Sequence, residues 1–274
     1  MTRSKRFYGR GLPGVDVSGV GGLLIVLEGS DGAGRSTQIG LLSDWLQRRG
    51  LATTVVGLKR SELVGEALVD AMSGHTLMPT TLSLFYATDF ADQLERVIIP
   101  SLKAGFAVLC DRYIYTLMAR DLVRGGTLEW LRDLYGFALV PDAVFYLNVT
   151  PRTLAERNFQ KSGCLDYWES GMDIARVGDM YDNFIKYQSR IQRVFNALRH
   201  DHSFTTLNGS RSPRAVHKEI RSRVEKILSS HDRPASHSRE TVETQALPLP
   251  VVQPVPSATD ENQPVSAAGG KGTF

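Results

Sequence analysis

The sequence predicts an α/β fold, a parallel sheet flanked by helices on both faces, from three observations. An unbroken apolar run at residues 23–27 leads directly into a glycine-rich stretch and then into apolar residues at helical spacing. Strand-like and helix-like segments alternate from there to about residue 229. The chain of 274 residues is 42% hydrophobic, enough to bury one sizeable core with length to spare.

Each element has its own local signal. Residues 23–27, LLIVL, read as a strand buried on both faces, because no polar residue interrupts them. Ile39, Leu41, Leu42, Trp45 and Leu46 then form one helical stripe, which Gly50 stops. Further strands are expected at 52–58, 106–110, 143–149 and 204–207. A long helix is expected across 80–104, with Leu84, Ala91, Leu94, Ile98 and Leu102 toward the core. Another is expected across 173–199, with Ile174, Val177, Tyr181, Phe184, Ile191, Val194 and Leu198 on its buried face. The last helix, 212–229, opens with Ser212 as its cap and Pro213 in its first turn. The expected organisation is an N-terminal extension (1–20), one domain (21–230) and a tail (231–274). The tail is rich in Pro, Ser, Ala and Gly, a composition expected to stay disordered.

Composition narrows the function. A net charge of +3 and scattered basic residues give no stripe of the kind that grips nucleic acid. No run reaches the length of a membrane span, and the basic N-terminus lacks the apolar segment of a signal peptide. These features lead us to expect a cytoplasmic protein. The two cysteines suit a reducing compartment, and the six histidines show no metal-ligand spacing.

The chemistry begins at Gly29, Ser30, Asp31, Gly32, Ala33, Gly34, Arg35, Ser36 and Thr37. Their spacing, Gly-x4-Gly-Arg-Ser, departs at one position from the phosphate-binding loop G-x-x-x-x-G-K-[ST], so the fold is expected to be that of the P-loop NTPases. Glycines allow backbone N–H groups to surround a phosphate, and the helix N-terminus adds its positive end. Ser36 offers a hydroxyl to Mg²⁺. Arg35 replaces the usual lysine, keeping the charge but changing a compact ammonium into a planar fork. The cofactors expected are ATP and Mg²⁺.

Four further segments fit a phosphoryl-transfer site. Asp111 and Arg112 follow a buried strand, at the carboxyl edge where ligands of open α/β sheets bind. Asp111 suits Mg²⁺, and Arg112 suits a phosphate clamp. Phe85 and Tyr86 offer stacking faces for a base. Asp31 suits a sugar hydroxyl. The polar segment 155–170, with Arg157 and Lys161, suits a lid that excludes water.

The runs VLEGSDGAGRSTQIGLLSDWL, LFYATDFADQLERVIIPSLKAG, DRY, PDAVFYLNVTPRTLAERN and SGCLDYWES, in that order, resemble the thymidylate kinases, a family of nucleoside monophosphate kinases. The resemblance covers roughly residues 21–229. It implies a five-stranded parallel sheet, often in a homodimer, and transfer of the γ-phosphoryl of ATP to a deoxynucleoside monophosphate with Mg²⁺. By position, it implies that Gly29, Gly34, Arg35, Ser36 and Thr37 hold ATP phosphates. Asp31 would meet the acceptor sugar, and Arg112 would bridge donor and acceptor phosphates.

The chain departs from the family in several places. The family's REPGG loop is replaced by LKRSELVGE, which leaves its phosphate contact to Lys59 or Arg60. Phe90 stands where the family aims an arginine at thymine. Ala119, Arg120 and Asp121 stand for its AYQ, and Tyr167 stands for a lid arginine. The acceptor base site is thus rewritten, with Tyr86 as a stacking face and Arg120 as a new donor. We therefore expect no strong preference for dTMP over other pyrimidine monophosphates. Two other readings compete: a P-loop kinase for a different small acceptor, and a nucleotide-binding module with little turnover. GTPase and protein-kinase readings lack their NKxD, HRD and DFG signatures.

Overall fold

The computed structural model describes residues 5–75, 77–174 and 178–231. Five parallel strands form one sheet: β1 (Leu23–Glu28), β2 (Thr53–Gly57), β3 (Ala107–Asp111), β4 (Ala143–Asn148) and β5 (Thr205–Asn208). Their spatial order is β2-β3-β1-β4-β5. β1 is central, with Leu23 opposite Ala107 of β3 and Ile25 opposite Ala143 of β4. That position explains its unbroken apolar run: all six of its residues are buried. The chain reverses direction across the sheet at β1, so its carboxyl end borders the crevice where such sheets bind ligands.

The strand period sorts the core into two layers. Leu24 and Val26 join one cluster with Tyr86, Leu94, Leu102, Leu117 and Ile191. Leu23, Ile25 and Leu27 join the other with Ile39, Leu42, Leu154 and Ile220. The helices behind these layers are α1 (Arg35–Gln47), α2 (Gly65–Ser73), α3 (Pro79–Gln93), α4 (Ile99–Lys103), α5 (Ile114–Val123), α6 (Leu128–Leu134), α7 (Pro151–Ser162), α8 (Met180–His202) and α9 (Pro213–His231).

Three expectations need correction. The helix expected across 80–104 is interrupted by a π-helical turn, Leu94–Ile98, between α3 and α4. Pro100 supplies the reason, since its ring would strike the carbonyl four residues back in a regular helix and a wider turn relieves it. Leu84, assigned to the buried stripe, is 50% exposed. The helix expected from 173 begins only at Met180, where the Asp179 side chain accepts the Asp182 N–H at 2.9 Å. Ile174 precedes it in a turn, and Val177 lies outside the described residues.

The expected N-terminal extension is part of the domain's packing from Lys5 onward. Lys5 pairs with Asp142, which also accepts the Leu24 N–H at 2.7 Å. Phe7 bridges Leu139 in antiparallel fashion, the Tyr8 and Tyr115 hydroxyls bond, and Val17 and Val20 are buried. The tail expected at 231–274 lies outside the described residues beyond His231. Among the described residues no helix is long and apolar enough to cross a membrane.

Candidate active site

The glycine-rich loop joins β1 to α1, and its glycines are there for a backbone reason. Gly29, Gly32 and Gly34 have φ of 143°, 84° and 97°, a region that favours glycine. At Gly29 a side chain would also come within 2.9 Å of the Leu147 carbonyl. Ser30 is nearly buried, and the Ala33 N–H closes a turn on its carbonyl at 3.0 Å. Ser36 and Thr37 are exposed in the first turn of α1. α7 buttresses the loop from outside. Arg157 donates to the Gly32 and Gly209 carbonyls at 3.0 and 3.1 Å, and Asn158 donates to the Asp31 carbonyl at 3.1 Å. Arg157 thus touches the loop, whereas Lys161 is exposed in the last turn of α7.

Arg35 folds back beneath this loop. It is 7% exposed and donates to the carbonyls of Gly29 and Ser30, the latter at 2.6 Å. Its Nε meets Asp111 Oδ1 at 2.7 Å and its Nη2 meets Asp31 Oδ1 at 3.2 Å. The planar fork therefore engages four oxygens at once, which a lysine ammonium does less well.

Asp31 is shared with a second guanidinium, Arg112 Nη2, at 2.7 Å. Burial alone would raise the Asp31 carboxyl, but Arg112, Arg35 and Arg120 hold it well below the usual carboxylate range. Arg112 sits just past β3 with φ of 74°, strained for a residue with a side chain, and its N–H is tied to the Leu27 carbonyl at 3.0 Å. Its Nε is buried with no hydrogen-bond partner among the described residues. Behind it lies Glu169, which accepts from Arg112 at 3.2 Å, from Arg120, and from Gln188 Nε2 at 3.1 Å. Burial opposes the Glu169 charge, yet Arg120 and Arg112 keep its carboxyl below the usual range. Lys59 adds another cation with φ of 61°, its pKa lowered by burial and by Arg120 and Arg112. Its backbone N–H donates to Asp89 at 2.8 Å, as the Ser61 N–H does at 2.9 Å, so buried Asp89 shapes the loop after β2. Arg60 is exposed on this loop, with its guanidinium against Gly57.

The expected base-binding residues separate into two groups. Tyr86 and Arg120 face a common pocket, with Arg120 Nη1 3.2 Å from the Tyr86 hydroxyl. Phe90 instead belongs to the core, edge-on to Tyr113 at 5.0 Å and against Phe137 at 5.7 Å. It follows Asp89 on α3 and turns inward with the helix. Phe85 is half-buried against the same core cluster.

Glu169, Gln188, Asn158 and Glu28 escaped the sequence reading. Glu28, at the end of β1, is fully buried and accepts the Tyr113 N–H at 2.9 Å and the Thr116 N–H and hydroxyl. Burial pushes its carboxyl up to about 7. A charged residue closing an otherwise apolar strand was a readable sign of such a bracket. Glu169 had no comparable sign, because it lies in a polar segment whose burial depends on α8.

The family model for thymidylate kinase matches residues 27–220. The chain is 41% identical over 212 residues to a protein named probable thymidylate kinase 2 from Saccharolobus solfataricus, covering 77% of this chain and 97% of that one. It is 37% identical to a probable thymidylate kinase from Thermococcus onnurineus, over 64% of this chain and 90% of the other. It is also 32% identical to a thymidylate kinase from a Synechococcus species, over 64% of this chain and 81% of the other.

Proposed function

The chain belongs to the thymidylate kinase family and is a nucleoside monophosphate kinase with ATP as co-substrate, and we propose that dTMP is an acceptor that it converts to dTDP. The observation that carries this reading is Asp31, a loop carboxylate held between Arg35 from the donor side and Arg112 from the sheet edge. Two cations at one point suit a reaction in which phosphate charge passes from one nucleotide to the other.

In this reading the residues of the glycine loop, Gly29 to Thr37, hold the ATP phosphates. Arg35 exchanges part of its carboxylate contacts for phosphate oxygens, and the Arg112 Nε, which has no partner among the described residues, donates to a phosphate oxygen. Asp31 accepts a sugar hydroxyl of the acceptor, while Lys59 or Arg60 approaches its phosphate. Arg157 steadies the loop, and with Lys161 belongs to the segment that excludes water.

The donor set fits Mg²⁺: the Ser36 hydroxyl, in the first turn of α1, and the Asp111 carboxylate, at the end of β3, are hard oxygens, and water and phosphate would complete the shell. When bound, the ion would neutralise charge on the outer phosphates.

We further propose a cytoplasmic homodimer. Exposed Leu63, Val69, Met78 and Leu84, along and beside α2 and α3, support an apolar contact surface. Incubation with ATP, Mg²⁺ and each monophosphate in turn tests the function. dTDP formation is the expected result. ATP binding with no turnover of any monophosphate would overturn it.

A further inference from the structure

The pocket that Tyr86 and Arg120 face is also lined by Ser83 and Tyr135, to which the family resemblance gives no role, and by Asp121, which stands for the last residue of the family's AYQ. Its apolar lining is Met72, Leu82, Leu117 and Trp168, and Arg124 adds a guanidinium whose charge acts on Asp121. The Ser83 hydroxyl lies 2.6 Å from each oxygen of the Asp121 carboxylate. Tyr135 is 1% exposed, yet its hydroxyl has no hydrogen-bond partner among the described residues. Burial first, then the charge of Asp121 and the nearby Tyr86, keep that phenol protonated, so Tyr135 and Asp121 share one space. A buried hydroxyl without a partner is costly, and one lining a pocket is satisfied by what enters it.

We propose that Asp121, oriented by Ser83, and Tyr135 read the hydrogen-bonding edge of the acceptor base, and that they accept a pyrimidine as either thymine or cytosine. The inference rests on the nucleoside monophosphate kinase reading. A carboxylate only accepts, and it has lone pairs left after Ser83 has donated one bond. A phenol with an idle proton donates. Together they need a neighbouring donor and acceptor on the base. Thymine supplies N3–H and a carbonyl, and cytosine supplies its amino group and N3. An arginine at the Phe90 position would favour the carbonyl of thymine alone, but Phe90 is in the core. The pocket as it stands has room for little more than a water molecule, so the base must draw Met72 aside. Met72 caps the pocket through the Tyr86 hydroxyl on its sulfur at 3.3 Å and the Trp168 indole on its carbonyl at 3.3 Å. An unbranched thioether side chain moves readily, although a purine demands a larger displacement.

The test compares the parent with Tyr135→Phe and Asp121→Asn. Calorimetric affinities for dTMP and dCMP are measured beside a non-hydrolysable ATP analogue, together with steady-state kinetics and melting temperatures. Tyr135→Phe removes one oxygen and keeps the ring, so it is expected to fold like the parent. The parent should take dTMP and dCMP within about tenfold of each other. Each variant should weaken both monophosphates by about tenfold, with ATP-analogue affinity unchanged within about twofold. Unchanged monophosphate affinity in both variants overturns the inference, as does a preference of the parent for dTMP of about a hundredfold or more. Binding of both monophosphates without turnover overturns the kinase reading instead, and the variants' affinities still decide this one.

Discussion

At the scale of the residue, the site contains carboxylates whose proton affinities the protein shifts in opposite directions. Asp31 and Glu169 are kept ionised by arginines, whereas Glu28 is pushed toward its protonated form by burial. The Glu28 carboxyl, normally near 4.5, is raised to about 7 in the folded chain. Between those values the folded state binds more protons than the unfolded state, so this residue lowers stability as pH rises through that window. Glu28→Gln keeps the acceptor for the Tyr113 and Thr116 N–H groups and removes the titration. Relative to the parent, the variant should gain up to about 3 kcal/mol at pH 8 and nothing near pH 4. Denaturant midpoints across pH 4–8 check this, and a constant difference between the two proteins would refute it. Arg35, Asp31 and Arg112 were legible at this scale because their positions in a motif fix their place. Glu169 was not, since only the packing of 163–174 against α8 makes it a buried carboxylate.

The elements show why spacing predicted strands better than helices. The strand runs are short, so their ends lie within a residue or so of expectation, as at Thr205–Asn208. The helices failed where a single residue outweighed the period: Pro100 forced the π-helical turn, and Asp179 as a cap started α8 late. α7 was legible as a candidate lid, but its contact with the loop was not. Arg157 ties the Gly32 and Gly209 carbonyls together, and so fixes one wall of the glycine loop. Arg157→Ala should therefore raise the KM for ATP by about tenfold with a smaller change in kcat. A variant with the parent's KM for ATP would show that α7 is only scaffolding.

For the whole molecule, the sheet order brings the ends of β1 and β3 together, so residues about 80 positions apart in sequence, Asp31 and Arg112, meet as one ion pair. Five parallel strands were readable from strand runs, motif and resemblance together, but their spatial order was not. Nor was the role of the N-terminus. Polar and glycine-rich, residues 5–20 carry no period, and their worth lies in partners that are distant in sequence: Asp142, Leu139 and Tyr115. Removal of residues 1–20 takes buried Val17 and Val20 from the core and leaves half-buried Asp142 without its lysine. Melting temperature should fall by roughly 5 °C or more, the scale of a few kcal/mol in a domain of this size. An unchanged melting temperature would mean that this segment only rests on the domain.

We propose that Arg35 performs the work of the loop's usual lysine in phosphoryl transfer to dTMP. Steady-state turnover of ATP and dTMP by the parent, Arg35→Lys and Arg35→Ala tests it most directly, with melting curves to confirm that each is folded. Loss of the charge should reduce kcat by two to three orders of magnitude, roughly 3–4 kcal/mol of transition-state stabilisation, while the lysine variant keeps substantial activity. A folded Arg35→Ala protein as active as the parent would contradict the claim.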